Sequence, residues 1–260
     1  MGTYLWQNFL VDNKIKNRIA EKIWDFYSKS KCQALIEIGP WKWALTKLIN
    51  QISDKFFVIE KDPSLKENLS KIMNYELWIM NYLEGDVLEI DVEKILKLKK
   101  LDSKKTLVVG NLPYYITSPI LRKFFWNWNQ NFAGWIFMVQ KEVGEKIKSD
   151  ANKKSYLRWL LNYAYDVQYL KTVPAKAFKP VPKVDSCLIK LWIRNYELWI
   201  EWNDLIRFLD LFAPYSRKTL WKISKMVGKK MEIKFEMPLQ LQKKRLEEID
   251  WNDLRNILKK

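Results

Sequence analysis

Between Lys14 and Tyr27 the apolar residues Ile15, Ile19, Ile23 and Phe26 recur at three- and four-residue steps, which predicts an amphipathic helix. The pattern then changes. "ALIEI" (34–38) is a continuous apolar run of strand length, 42–50 reads as a helix, and "FFVIE" (56–60) is a second buried strand. A second helix is predicted over 63–73, with Pro63 near its first position, where a missing N–H costs nothing. A third strand precedes Asp86 in "LEGDVLEID", and "TLVVGNLPYY" supplies a fourth that ends in a turn at Asn111 to Pro113. A helix at 118–126 and strands at 134–140, 165–173 and 185–193 follow. Strands alternating with helices imply an α/β fold: a mainly parallel, doubly wound sheet that takes its ligand at the carboxyl ends of the strands. Beyond about Arg194 the period is helical throughout, with lysine-rich faces, so residues 195–260 are expected to form a small all-helical domain after an α/β domain over 1–194. The run "LKLKKLDSKK" (96–105) reads as a solvated basic linker.

Composition narrows the chemistry. The 260 residues contain no histidine, which excludes Ser/His/Asp and Cys/His nucleophilic catalysis and histidine-ligated metals, and no metal site is implied. Two distant cysteines, Cys32 and Cys187, form no CxxC pair and no disulfide framework, which suits a reducing compartment such as the cytoplasm. No apolar run approaches the roughly 18 residues of a membrane span, and the N-terminus lacks a signal layout, so a soluble protein with no membrane partner is expected. A net charge of +16 and a pI near 9.6 favour a polyanionic partner, above all nucleic acid.

Glycine is scarce. Average usage predicts roughly 18 in a chain of this length, whereas 7 are present beside 14 tryptophans. The pooled count is close to an ordinary glycine complement with a few true tryptophans. Our hypothesis is that many of these tryptophans are glycines in the organism, as would follow from UGA codons that encode glycine being translated as tryptophan. Their positions support it. In "EIGPWKWALT", Trp41 and Trp43 stand in a turn after the first strand where glycine would let a ligand approach the backbone. With glycine at both positions the turn satisfies a nucleotide-type GxGxxA fingerprint and the GxGxG of adenosylmethionine enzymes, a weak signal alone. Spacing strengthens it. Glu60 ends the second strand, 21 positions after Gly39, where a carboxylate accepts from both ribose hydroxyls; Asp86 follows the third strand, where one could accept from an adenine amine.

"NLPYY" (111–115) would open into the same crevice from the fourth strand. An adenine amine is a poor nucleophile because its lone pair is delocalised into the ring. Acceptors for both amine hydrogens, the Asn111 side-chain oxygen and the Leu112 carbonyl, would favour the pyramidal amine that can attack, with no strong base required. Pro113 fixes the backbone that aims the carbonyl, and Tyr114 offers a ring for a flipped base.

In order along the chain, "WQNFL", "EIGPWKWALT", "VIEKD", "EGD", "GNLPYYITSPI", "MVQKEV", "FKPVPKVDS" and "SRKTL" resemble the motifs of ribosomal RNA adenine dimethyltransferases, small-subunit branch, from residue 5 to near the C-terminus. The resemblance implies the Rossmann-like fold of class I methyltransferases with a helical C-terminal domain. It also implies S-adenosylmethionine as donor, and two adjacent adenosines near the 3′ end of small-subunit rRNA as substrate, met in a pre-30S particle by a monomeric enzyme. It further assigns Gln7, Asn8, Leu10, Gly39, Trp41, Glu60, Asp86 and Asn111 to the donor site. Asn111, Leu112, Pro113 and Tyr114 would hold the target base, Phe178 would stack on its other face, and Arg217 and Lys218 would grip RNA. Trp6, Trp41 and Trp43 occupy glycine positions of these motifs, and Trp126, Trp128 and Trp221 are further candidates for misread glycines. Three readings compete: a large-subunit adenine methyltransferase of the antibiotic-resistance type; a nicotinamide dehydrogenase, which would leave "NLPYY" and "QNFL" unexplained; and, if the tryptophans are authentic, a non-catalytic ribosome-assembly factor.

Overall fold

The computed structural model describes residues 8–40, 44–65, 81–126, 132–148, 155–193, 201–231 and 236–258, with the side chains of Trp126 and Met231 left aside. Nine strands lie among the described residues: β1 Phe9–Leu10, β2 Ala34–Ile38, β3 Phe56–Glu60, β4 Tyr82–Glu84, β5 Thr106–Asn111, β6 Gly134–Gln140, β7 Tyr165–Val173, β8 Phe178–Lys179 and β9 Ser186–Ile193. Seven of them form one sheet in the order β4-β3-β2-β5-β6-β9-β7. The first four pairings of that order are parallel, and β9 runs antiparallel to β6. Every residue of β2 and β3 is buried, as the unbroken apolar runs require of strands covered on both faces.

Period-2 alternation sorts the core into two layers. On one face, Leu35, Phe56, Val58, Leu107, Val109, Ile136 and Met138 join Ile19 and Ile23 of α1 (Asn13–Lys29) and Ile49 of α2 (Thr46–Ile49). On the other, Trp135 packs on Phe125 of α4 (Thr117–Trp126), ring centroids 4.6 Å apart; α3 (Val92–Leu98) precedes it. Helix α1 begins where Asp12 accepts the Ile15 N–H at 3.0 Å, a cap that satisfies one orphan donor of the first turn. The basic run at 96–105 is the end of α3 followed by a 3₁₀ turn at Ser103–Lys105.

Both cysteines are buried, and burial pushes the Cys32 thiol up to about 11 and the Cys187 thiol up to about 12. The Cys187 sulfur fills the space a Cβ at Gly144 would need.

The chain divides into two compact units, Met1–Glu145 with Val167–Ile193, and Lys146–Asp166 with Arg194–Lys260. This corrects the single cut expected at 194/195: residues 146–166, assigned from sequence to the α/β part, group with the C-terminal unit. Their helix α6 (Tyr156–Ala164), which follows α5 (Lys141–Ile147), supplies the reason. Trp159 and Tyr163 on α6 meet Trp251 at 4.5 and 5.6 Å, and Tyr163 meets Trp202 at 5.5 Å. The rest of that unit is α7 (Trp202–Phe212), α8 (Leu220–Met231) and α9 (Trp251–Leu258), with Phe208 stacked on Phe212 at 4.3 Å. Among the described residues no helix is long and apolar enough to cross a membrane.

Candidate active site

Parallel register brings the ends of four neighbouring strands level: Ile38 stands beside Ile59 and Gly110, and Glu60 beside Glu84. Four turns therefore open at one edge, and a cleft lies between them. Gly39, Glu60, Asp86 and Pro113 line it, with Ile59, Val87 and Ile120 as aliphatic walls. Three residues singled out from sequence as donor-binding are thus neighbours in space.

Gly39 leaves β2 with φ +62°, a conformation that favours glycine, and its N–H donates to the Ile59 carbonyl at 2.9 Å. The turn closes over the end of β3 in this way. Glu60 is only 4% exposed, and its Oε1 accepts the Asp62 N–H at 2.8 Å, which fixes the carboxylate at the strand end. Gly85 donates its N–H to the Glu60 carbonyl at 2.9 Å, tying the third turn to the second.

Asp86 is held at both oxygens. Lys61 Nζ lies 2.7 Å from Oδ2, and the Leu88 N–H donates to Oδ1 at 2.8 Å. Burial acts to raise this carboxyl, but the Lys61 ammonium and the Leu88 N–H outweigh it and keep the group below the usual carboxylate range. A carboxylate has about four lone-pair directions, so Asp86 retains acceptor capacity for an amine. Lys61 was not singled out from sequence, although "VIEKD" contains it; a charge at the first position after a buried strand was the available signal.

The fourth turn departs from expectation in one respect. Leu112 is buried and donates its N–H to the Met138 carbonyl at 3.0 Å, and Thr117 Oγ1 donates to the Pro113 carbonyl at 2.9 Å, so the turn is braced at both ends. Asn111 ends β5 opposite Met138. The Tyr114 hydroxyl shares a hydrogen bond of 2.6 Å with Ser186 Oγ, whereas the next residue, Tyr115, lines the cleft and is 61% exposed. Sequence had singled out the first tyrosine only. Gly110 lies so close to β2 that a Cβ there would sit 2.8 Å from the Ile38 carbonyl oxygen.

Asn8 and Leu10 do not line this cleft; Leu10 is buried, and β1 pairs antiparallel with β8, setting Leu10 against Phe178. Phe178 is 1% exposed and belongs to the apolar core, so its ring offers no open face and could stack on a base only after rearrangement. Arg217 and Lys218 are exposed in the C-terminal unit, where the Lys218 N–H donates to the Tyr215 carbonyl at 2.8 Å. Gln7, Trp6, Trp41, Trp43 and Trp128 lie outside the described residues, as does most of the helix expected at 63–73, of which a 3₁₀ turn at Pro63–Leu65 is described.

The cleft suits an adenosine-bearing cofactor. A fixed carboxylate stands at Glu60 for ribose hydroxyls, a second at Asp86 can take an exocyclic amine, and aliphatic side chains between them can flank an aromatic ring. One motif also holds a buried pair not anticipated from sequence: Glu37, 2% exposed and next to last in β2, accepts a hydrogen bond of 2.6 Å from Thr46 Oγ1. A lone charged residue inside an apolar strand run was the signal for it.

Comparison with known proteins agrees with this geometry. Residues 3–258 match the family model for ribosomal RNA adenine dimethylase. "Ribosomal RNA small subunit methyltransferase A" of Mesoplasma florum is 35% identical over 82% of this chain and 76% of its own. The protein of the same name from Mycoplasma capricolum is 37% identical over 84% of this chain and 80% of its own. Among solved structures, a dimethyladenosine transferase from Plasmodium falciparum superposes with a TM-score of 0.73 at 22% identity, covering 95% of both chains. The 23S rRNA methyltransferase ErmE gives 0.64 at 22% identity, over 96% of this chain and 99% of its own. These two likenesses establish the fold, a class I methyltransferase sheet, and the match over nearly the whole length establishes the rest: the chain belongs to the ribosomal RNA adenine dimethylase family.

Proposed function

We infer that the protein transfers methyl groups from S-adenosylmethionine to the exocyclic amines of two adjacent adenosines near the 3′ end of small-subunit rRNA. The observation that carries this reading is the convergence of Gly39, Glu60 and Asp86 on one cleft whose further wall is Pro113 and Tyr115 of the "NLPYY" turn. A donor pocket and the base-handling motif thereby adjoin. The donor, when bound, supplies a methyl group already activated on a sulfonium, so the protein's task is positioning and electrostatics. Glu60 would accept from the ribose hydroxyls and Asp86 from the adenine amine of the donor, with Gly39 lining the same cleft; the family motifs add Gln7 and position 41 to that site. Asn111 and the Leu112 carbonyl would accept the two hydrogens of the target amine and expose its lone pair. Tyr114, and Tyr115 beside it, would stack on the extruded base. Arg217 and Lys218 would hold RNA phosphate.

The small-subunit branch is favoured over the large-subunit one by the relatives' names and by the "NLPYY" and "FKPVPKVDS" forms. We take the enzyme to act as a monomer in the cytoplasm on a pre-30S particle. Methyl transfer from labelled S-adenosylmethionine to unmethylated 30S and 50S subunits tests the reading. Transfer to 30S alone, lost in Glu60→Ala and Asn111→Ala, is expected; transfer to 50S alone would move the protein to the large-subunit branch.

A non-catalytic assembly role stands only if Trp41 and Trp43 are authentic. The mass of the tryptic peptide 43–47 from native protein distinguishes tryptophan from glycine at its first residue.

A further inference from the structure

Asp86 stands on a turn, where a side chain keeps its rotamer freedom unless bonds remove it. Two bonds do so. The Leu88 N–H donates to Oδ1 at 2.8 Å from the same turn, and Lys61 Nζ reaches Oδ2 at 2.7 Å from the end of the neighbouring strand β3. The backbone that carries Lys61 is itself held on either side. Glu60, before it, accepts the Gly85 N–H at its carbonyl at 2.9 Å, and Asp62, after it, donates its N–H to Glu60 Oε1 at 2.8 Å. Lys123 of α4, whose field also reaches Asp86, is engaged elsewhere, its Nζ donating to the Ile90 carbonyl at 2.7 Å. As a contribution to folding the Lys61–Asp86 pair is small, because the Lys61 side chain is 67% exposed and water competes for its ammonium. Both partners, however, line the cleft together with Glu60.

We propose that Lys61 is a specificity-determining positioning residue, which locks the orientation of Asp86 so that the cleft accepts a nucleoside bearing an exocyclic amine and rejects its 6-oxo counterpart. This rests on the reading of the cleft as the donor site. Lys61 acts through Asp86, supporting a group that must be held in place to discriminate.

The discrimination is one of donors and acceptors. An ionised carboxylate only accepts. An exocyclic amine brings hydrogens to it, whereas an oxo group brings none, and two acceptors facing each other leave both unsatisfied. The oxo form does carry a hydrogen on the adjacent ring nitrogen. A carboxylate free to turn could reach that hydrogen and so serve either ligand, but one bonded at both oxygens cannot follow it.

Binding of S-adenosylhomocysteine and S-inosylhomocysteine to the full chain, in a Trp6→Gly, Trp41→Gly, Trp43→Gly background, tests this. With Lys61 in place the adenosyl ligand should bind about a hundredfold more tightly than the inosyl one. Lys61→Met keeps the aliphatic stem and removes the ammonium, and the preference should drop to about tenfold or less. Lys61→Arg, which returns a donor to Oδ2, should restore it. A general loosening of the cleft would weaken both ligands alike and leave their ratio unmoved, so the ratio isolates positioning. A second readout needs no ligand: the side-chain carboxyl carbon resonance of Asp86 should titrate at higher pH in Lys61→Met than in wild type or Lys61→Arg, the nearby Lys123, Glu89 and Tyr115 being common to all three. An unchanged ligand ratio in Lys61→Met, or an unchanged Asp86 titration, would overturn the proposal. If the titration moves as expected while neither ligand binds any form, Lys61 holds Asp86 but the donor-site reading fails, and the specificity falls with it.

Discussion

Glu37 is the fourth of five residues in a strand whose other side chains are hydrocarbon, and its folded-state titration has a thermodynamic sign. Its carboxyl is raised from 4.5 to about 8, so folding favours the protonated form. The stability it contributes is fully present below about 4.5 and is lost as pH rises to about 8. One proton retained only by the folded state costs on the order of 1 kcal/mol of stability per pH unit across that window. Urea midpoints at pH 5, 6.5 and 8 should therefore decline less steeply for Glu37→Gln than for wild type. At Gly110 the argument is steric: alanine would force its Cβ against the Ile38 carbonyl, and we expect Gly110→Ala to lose about 1 to 3 kcal/mol, read as a lower thermal midpoint. Tyr114→Phe removes only the hydroxyl that meets Ser186 and should cost about 1 kcal/mol while leaving a ring in place. The residues legible from sequence were those carried by a strand end or an ordered motif, such as Glu60 and Asp86. Phe178 was legible as a motif member but not as a core residue, because its burial depends on a pairing with Leu10 that is remote in sequence.

Elements were legible wherever one period ran long enough to be seen. "FFVIE", "GWIFMVQ" and "YDVQYLKTV" are strands with the bounds read from sequence: the first two are apolar runs buried in the sheet, and the third is a largely half-exposed strand rich in β-branched and aromatic residues. Pairs as short as Phe9–Leu10 and Phe178–Lys179 have no period, and α6 was missed because its aromatic-rich sequence reads equally as a strand approach. The nucleoside-binding reading of the turn after β2 depends on reading through Trp41 and Trp43. If tryptophan there is a mistranslated glycine, Trp6→Gly, Trp41→Gly, Trp43→Gly should show methyl transfer at least tenfold above the sequence as it stands, measured on unmethylated small subunits. Equal rates would remove the steric argument.

At the scale of the molecule, the alternation of strands and helices foretold the sheet, and the change of period near Arg194 foretold a helical unit. The contribution of residues 146–166 to that unit was hidden because its helix meets the rest through Trp159 and Tyr163, contacts no local pattern encodes. A net charge of +16 predicts RNA affinity that falls steeply with salt. Replacing Arg217 by alanine should lower the slope of log affinity against log salt by about 1 while leaving S-adenosylhomocysteine binding unchanged. The two buried thiols have a practical corollary. Both belong to the unit that holds the sheet, and the other unit contains no cysteine. With their ionisation suppressed by burial, neither will react with iodoacetamide at pH 8 while that unit is closed. The rate at which alkylated mass accumulates at Cys32 and Cys187 is therefore a chemical record of how often the sheet opens, kept separately from any fraying of its helical companion.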